Sequence, residues 1–92
     1  MIECRLVVVN RLGLHARAAA QVVRLANQFQ SSIRLERADG SAAADAKSIL
    51  SVLMLAASRG TELRAVADGE DEREAVDAVC GLFVGGFGEA EQ

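Results

Sequence analysis

The stretch Asn10–Ala20, NRLGLHARAAA, divides two kinds of sequence pattern. The residues that lead into it, CRLVVVN, are β-branched and apolar, which is typical of a strand. From His15 onward, HARAAAQVVRLANQF is rich in alanine and leucine and repeats its apolar residues with a helical period. The stretch therefore predicts a strand followed by a helix that begins near His15, the only histidine in the chain.

Beyond this helix the sequence predicts a hairpin, two further helices and another strand. Ile33 and Leu35 alternate with charged residues in SSIRLERA, and Asp39-Gly40 is a hairpin signal that leads into a short partner strand, SAAADA. KSILSVLMLAAS predicts a short helix capped by Gly60, and TELRAVADG predicts a strand. EDEREAVDAVCGLFVGGF opens with acidic residues, which favour the positive end of a helix, and Gly85-Gly86 ends it.

The order of these elements, β-α-β-β-α-β-α, indicates the fold class. It predicts an α+β open-faced sandwich, in which three helices cover one face of a four-stranded antiparallel sheet. The length predicts a single domain over residues 1–92. Besides Ile33 and Leu35, which point inward, the spacing of apolar residues predicts a buried stripe in the first helix and two interior positions in the second, Val52 and Leu55. The stripe consists of Ala19, Val22, Ala26 and Phe29. Leu63 and Val66 are apolar positions of the last strand, and Ala75, Val79, Leu82 and Phe83 form an apolar face on the last helix.

Composition argues against several classes of function. The formal net charge of −3 disfavours nucleic-acid binding, which needs a basic surface. No apolar run is long enough to insert into a membrane, and the start of the chain does not resemble a signal peptide, so we expect a cytoplasmic protein. Cys4 and Cys80 form no metal-binding pattern, so we expect two small buried apolar side chains and no structural metal.

His15 at a helix start suggests phosphate chemistry. Unpaired N–H groups and the positive end of the helix dipole disfavour an imidazolium and favour an anion just beyond them. Arg17 can donate charge-assisted hydrogen bonds to phosphoryl oxygens, and Gly13 allows a close approach of the loop. These residue types suit a phosphohistidine carrier. The residues alone leave open a surface or capping role for His15 and an ordinary exposed position for Arg17.

The motif GLHAR, followed by a helix and later by KSILSVLML, resembles the HPr family of histidine-containing phosphocarriers of the bacterial phosphoenolpyruvate-dependent phosphotransferase system. The resemblance covers nearly the whole chain, and it implies a carrier rather than a stand-alone enzyme. It implies that His15 accepts a phosphoryl group at Nδ1 from phosphorylated enzyme I and passes it to A-type acceptor domains. Arg17 and the helix-start amides around Ala16 would hold the group, with no metal or organic cofactor.

Ala18 departs from this resemblance, because the family motif normally reads His-x-Arg-Pro. Proline in the first turn preorganises a helix start, whereas alanine only propagates a helix well. The helix-start backbone at Ala16 and Ala18 is therefore expected to form a looser active-site loop. This departure puts the rate of transfer and the choice of partner in question.

The second predicted helix carries two further features that the resemblance implies. In one branch of the family an HPr kinase phosphorylates the serine matching Ser48, although a serine there serves equally well as a helix cap. The residues matching Ile49, Leu50 and Leu53 form an exposed apolar docking patch in the family. Arg24 and Asn27, on the polar stripe of the first helix, are either the rim of that patch or a solvated face.

The branch of the family and two rival functions stay open. NRLGLHAR and LFVGGFGE look most like the nitrogen-related carrier, whereas Lys47 before Ser48 looks like the sugar-linked, kinase-regulated branch. One rival is a purely regulatory HPr-like module that acts through Ser48 without phosphoryl transfer. The other is a small-molecule-sensing α+β domain of the amino-acid-binding kind, which does not explain LGLHAR and usually implies a dimer. We expect a monomer.

Overall fold

The computed structural model describes residues 1–89, which form a four-stranded antiparallel sheet and three helices. A short 3-10 turn, Gly86–Gly88, follows the last helix. This architecture confirms the predicted open-faced α+β sandwich and its order of elements. The strands are β1 (Ile2–Val7), β2 (Ser32–Arg37), β3 (Ala43–Asp45) and β4 (Glu62–Asp68), and the helices are α1 (Ala16–Ala26), α2 (Ile49–Met54) and α3 (Glu72–Val84).

The strands lie in the order β1-β4-β2-β3, so β4 and β2 are central. Ala65 of β4 pairs with Cys4 on one side and with Leu35 on the other, and Leu35 in turn pairs with Ala44 of β3. This row crosses the sheet on its buried face. Because successive strand residues point to opposite faces, a slip of one residue would expose the whole row, which fixes the register.

The core lies between this face of the sheet and the helices. Phe29 and Leu82 are half-buried and pack against this core, so Leu82 lies on the predicted apolar face of α3, whereas the prediction that Phe29 is buried is wrong. Phe29 follows the end of α1 and therefore leaves the helical stripe. The other predicted residues are confirmed as buried in this core: Ala19, Val22, Ala26, Ile33, Leu35, Val52, Leu55, Leu63, Ala75, Val79 and Phe83. Val66 is also buried but does not belong to this core.

The end of α2 differs from the prediction. Gly60 does not cap this helix, which ends at Met54 with Leu55 as its C-cap. The chain reverses earlier, at Ala56, whose φ of 51° is left-handed. Gly60 instead lies just before β4, where its N–H donates to the carbonyl of Val8 at 2.8 Å. Helix propensity does not reveal this reversal, because alanine is the best helix former.

Cys4 of β1 and Cys80 of α3 are joined by a disulfide, which corrects the prediction of two unpaired small side chains. Both residues are half-buried against the core. They are separated by 76 residues, so the sequence spacing gave no sign of the contact. It arises because α3 packs directly across β1.

Asp71 connects the start of α3 to the segment that enters β2. Its Oδ2 accepts from the N–H of Gln30 at 3.0 Å, and its Oδ1 accepts from the N–H of Ser31 at 2.9 Å and from the Ser31 hydroxyl. These hydrogen bonds, that of the Ser31 side chain first, lower the pKa of Asp71 from 3.8 to about 2. Ser31 is 1% exposed, so the Asp71 carboxylate satisfies a buried polar group.

Asp71 should make folding sensitive to acid. Because the pKa is lower in the folded state, the carboxylate stabilises the protein fully above its unfolded value of 3.8, and this is lost as pH falls towards about 2. We expect Asp71→Asn to lower the urea midpoint at neutral pH and to flatten its dependence on pH between these two values. Asp77→Asn, at an exposed position of α3, is the control. Equal pH slopes for wild type and Asp71→Asn would contradict this role.

Candidate functional site

His15 is the N-cap residue of α1, and its backbone is extended (φ −78°, ψ −179°). Its Nδ1 accepts from the N–H of Arg17 at 3.3 Å. The first backbone hydrogen bond of the helix runs from the N–H of Ala19 to the carbonyl of His15, at 2.8 Å. The amides of Ala16, Arg17 and Ala18 therefore precede the helical ladder, and the predicted position of His15 at a helix threshold is confirmed.

The loop before His15 is held by a close contact with the segment after α2. The N–H of Leu14 donates to the carbonyl of Ala57 at 2.9 Å. Gly13 has a φ of +68°, and a Cβ there would lie 2.6 Å from the same carbonyl oxygen. The predicted close approach at Gly13 is therefore confirmed, and glycine is required both for its conformation and for space.

Glu89 reaches His15 from the other end of the chain. Its Oε2 lies 2.5 Å from Nε2 of His15, and its Oε1 accepts from Nδ2 of Asn10 at 3.0 Å. The hydrogen bonds from Asn10 and then from His15 hold the pKa of Glu89 below its usual value. Asn10 is buried, and its Nδ2 also donates to the carbonyl of Gly13 at 2.8 Å.

Neither Asn10 nor Glu89 is among the residues that the sequence predicts for the site. Both stand in motifs that the sequence comparison with the family singled out, NRLGLHAR and LFVGGFGE, but no local pattern connects them. The signal that could have pointed to them is His15 itself, because a reactive histidine commonly has a hydrogen-bond partner at its second ring nitrogen. The turn at Gly86–Gly88 is what returns Glu89 to the start of α1.

An open groove of about 660 Å³ lies beside this cluster. Arg11 and Arg17 both line it, which gives it two guanidinium groups suited to binding an oxyanion. Gln21 also lines the groove and donates from its side chain to the carbonyl of Phe87 at 3.1 Å. The groove is thus bounded by α1 on one side and by the turn after α3 on the other.

Comparison with known proteins gives one consistent family. The family model described as "PTS HPr component phosphorylation site" matches residues 2–84. The chain is 43% identical to the phosphocarrier protein HPr of Cupriavidus necator, over 99% of this chain and 100% of that protein. It is 42% identical to the phosphocarrier protein NPr of Proteus mirabilis, over 92% of this chain and 93% of that protein. The chain belongs to the HPr phosphocarrier family.

Solved structures of the HPr family agree with this fold. HPr-C-His from Thermoanaerobacter tengcongensis superposes with a TM-score of 0.91 at 38% identity, over 98% of this chain and 99% of that chain. An HPr dimer from the same organism superposes with a TM-score of 0.75 at 38% identity, over 97% of this chain and 100% of that chain. The family thus includes at least one protein crystallised as a dimer.

Ser48 stands at the start of α2, in the position of its N-cap. Its hydroxyl accepts from the N–H of Ser51 at 3.4 Å, so the capping interpretation of this residue is confirmed. The N–H of Ser48 donates to the carbonyl of Asp45 at 3.0 Å. The hydroxyl of Ser51 accepts from the N–H of Asp45 at 3.0 Å, so the segment before α2 is closed on itself.

The residues that the HPr resemblance implies for docking divide into two groups. Ile49 and Leu50 are exposed on α2, Leu50 at 70%, whereas Leu53 is half-buried against the core. Arg24 and Asn27 are exposed at the end of α1. The side chain of Asn27 donates to the carbonyls of Val23 at 2.8 Å and of Lys47 at 3.4 Å, and so connects the end of α1 to the loop before α2.

Within residues 1–89 no three histidine, cysteine or acidic side chains come together as a metal site would require. No helix in this part of the chain is long and apolar enough to cross a membrane.

Gly13 and Gly81 provide a matched pair for testing the loop contact. Gly13→Ala combines a left-handed φ with a clash against a backbone oxygen, so we expect a loss of about 2–3 kcal/mol in the free energy of unfolding. Gly81 lies in α3 with open space around its Cα, so Gly81→Ala should instead stabilise the protein by about 1 kcal/mol. Urea denaturation measures both. A Gly13→Ala variant as stable as wild type would show that the close approach does not constrain the loop.

Proposed function

We propose that His15 accepts a phosphoryl group at Nδ1 from phosphorylated enzyme I and passes it to A-type acceptor domains of the phosphotransferase system. The observation that carries this proposal is the position of Nδ1, which faces the amide of Arg17 at the start of α1. A helix start is a favourable place for a phosphate, because unpaired N–H groups and the helix dipole both attract anions. The protein is then a carrier and not a stand-alone enzyme.

The surroundings of His15 account for how the phosphoryl group would be held. Phosphoryl transfer is catalysed mostly by positioning and by charge stabilisation, with little covalent work for the protein. The amides of Ala16 and Arg17 would donate to the phosphoryl oxygens, and the Arg17 guanidinium would add a charge-assisted hydrogen bond from the groove. Ala18 contributes only backbone, and it is fully buried.

Incubation with phosphoenolpyruvate and enzyme I from the same source tests the proposal. We expect the intact mass to rise by one phosphoryl group that is lost in mild acid, and His15→Ala to show no rise. Arg17→Gln should slow phosphorylation about 10²-fold, because one preorganised donor to the transferring group is lost. Arg73→Gln, at an exposed position of α3, is the charge-matched control. If the wild-type protein gains no phosphoryl group in the presence of an active enzyme I, the carrier proposal is wrong.

A second, regulatory function is proposed for Ser48, which an HPr kinase would phosphorylate. The observation that favours it is the exposure of Ile49 and Leu50 directly after Ser48. These two residues, with Leu53 and a rim of Arg24 and Asn27, are the proposed docking surface for enzyme I and the acceptor domains. A phosphate on Ser48 would place charge beside these apolar residues. A docking partner would have to strip water from that charge, so binding would weaken and phosphoryl transfer would slow.

Treatment with a cognate HPr kinase and ATP, followed by peptide mass analysis, tests the regulatory function. We expect one acid-stable phosphate on Ser48, no modification of Ser48→Ala, and normal modification of Ser51→Ala. The phosphorylated protein should accept a phosphoryl group from enzyme I at least about tenfold more slowly, since a buried unpaired charge costs more than 1.4 kcal/mol. Modification at another residue, or an unchanged rate, would leave Ser48 as a helix cap alone.

The remaining parts of the proposal concern the state and place of the protein. We propose a single-domain monomer that acts in the cytoplasm without metal or organic cofactor and does not bind nucleic acid. Thiols are mostly reduced in that compartment, so the Cys4–Cys80 disulfide is expected to open there. Similarity to both an HPr and an NPr supports either sugar uptake or nitrogen regulation as its context.

A further inference from the structure

Glu89 and Asn10 form a cluster with His15 that the phosphoryl-binding groups do not require. The Glu89 side chain is 14% exposed and that of His15 28%, so both lie at the edge of the groove but largely out of water. Asn10 is 4% exposed. Three hydrogen bonds join these groups, from Asn10 to the carbonyl of Gly13, from Asn10 to Glu89, and between Glu89 and Nε2 of His15.

The direction of each hydrogen bond follows from the chemistry of the groups. The carbonyl of Gly13 can only accept, so Asn10 must turn its amide nitrogen towards both Gly13 and Glu89. In this orientation the amide oxygen of Asn10 finds no partner within residues 1–89, which is a cost that the two donated bonds must outweigh. Glu89 therefore faces a donor at Oε1 and stays ionised.

An ionised carboxylate can only accept hydrogen bonds, so Nε2 of His15 must carry the ring proton. In the neutral ring this leaves Nδ1 with a lone pair. The same conclusion follows from the other side of the ring, where Nδ1 accepts from the N–H of Arg17. The contacts of both ring nitrogens thus select one tautomer.

We propose that Glu89, held by Asn10, is a positioning residue that fixes His15 in its Nε2–H tautomer and directs the Nδ1 lone pair to the helix start. This inference rests on the proposed function of His15 and deepens it. Carboxylates that orient a histidine in this way set which nitrogen is available for reaction.

The transfer step balances with this tautomer. The Nδ1 lone pair forms the bond to phosphorus, while the bond from phosphorus to the donor atom of enzyme I breaks and its electron pair returns to that atom. No proton has to leave, because Nε2 keeps its proton throughout. The ring gains positive charge as the bond forms, and the Glu89 carboxylate, 2.5 Å from Nε2, lies where it offsets that charge.

Glu89→Gln distinguishes this role from simple packing. Since Asn10 presents N–H groups, the new amide must turn its oxygen to Asn10 and its NH2 group to Nε2 of His15. That arrangement favours a proton on Nδ1 and blocks the reacting lone pair. Glu89→Ala leaves only the N–H of Arg17 to favour the proton on Nε2, which weakens the preference without reversing it. Phosphorylation by enzyme I should therefore fall at least about 10²-fold in Glu89→Gln, and less in Glu89→Ala.

Nitrogen-15 NMR of the His15 ring, recorded at about pH 9 where histidine is ordinarily neutral, gives a readout that does not depend on enzyme I. We expect the proton on Nε2 in the wild type and in Glu70→Gln, an exposed control, and on Nδ1 in Glu89→Gln. A wild-type proton on Nδ1, or a Glu89→Gln protein with an unchanged tautomer and rate, would overturn the role of Glu89. The expected tautomers in a protein that enzyme I does not phosphorylate would support the positioning and reject the carrier function.

Discussion

The close approach of Gly13 to the carbonyl of Ala57 is the contact on which the site depends. It fixes the position of the loop between β1 and α1, because the next residue, Leu14, donates to the same carbonyl and is buried. His15 is then the first residue free to turn its side chain away from the core, and α1 begins directly after it. Gly13 also supplies the carbonyl that orients Asn10. One loop contact therefore positions both His15 and the Asn10 side chain that supports it.

Local pattern in the sequence was enough to predict the sheet, the helices and the place of His15. Alternation at Ile33 and Leu35 and the turn at Asp39-Gly40 are properties of neighbouring residues, and packing agrees with them. The end of α2 could not be predicted, since the reversal at Ala56 opposes the propensity of alanine. The reversal places the carbonyl of Ala57 against the Gly13 loop, and such tertiary contacts must outweigh the roughly 1–2 kcal/mol that a left-handed alanine costs.

The features that the sequence did not predict join residues from distant parts of the chain. Glu89 is 74 residues from His15, and Cys80 is 76 residues from Cys4. Both contacts arise because α3 crosses the sheet over β1 and the turn after it returns Glu89 to the start of α1. A histidine, an asparagine and a glutamate are ordinary surface residues when each is considered alone. Only the folded structure shows that hydrogen bonds join them into one cluster.

Ala18 shows how this site differs from one organised by proline. A proline at position 18 would stiffen the first turn of α1. The first helical hydrogen bond starts from the N–H of Ala19, so proline and alanine at position 18 leave the same backbone hydrogen bonds in this turn. What alanine gives up is restriction of the unfolded chain and of the loop, an entropic effect. The hydrogen bonds from Asn10 through Glu89 to His15 restrict the ring directly instead. An imidazole held at both nitrogens needs less rigidity from the backbone beside it, so alanine at this position is compatible with an ordered His15 ring.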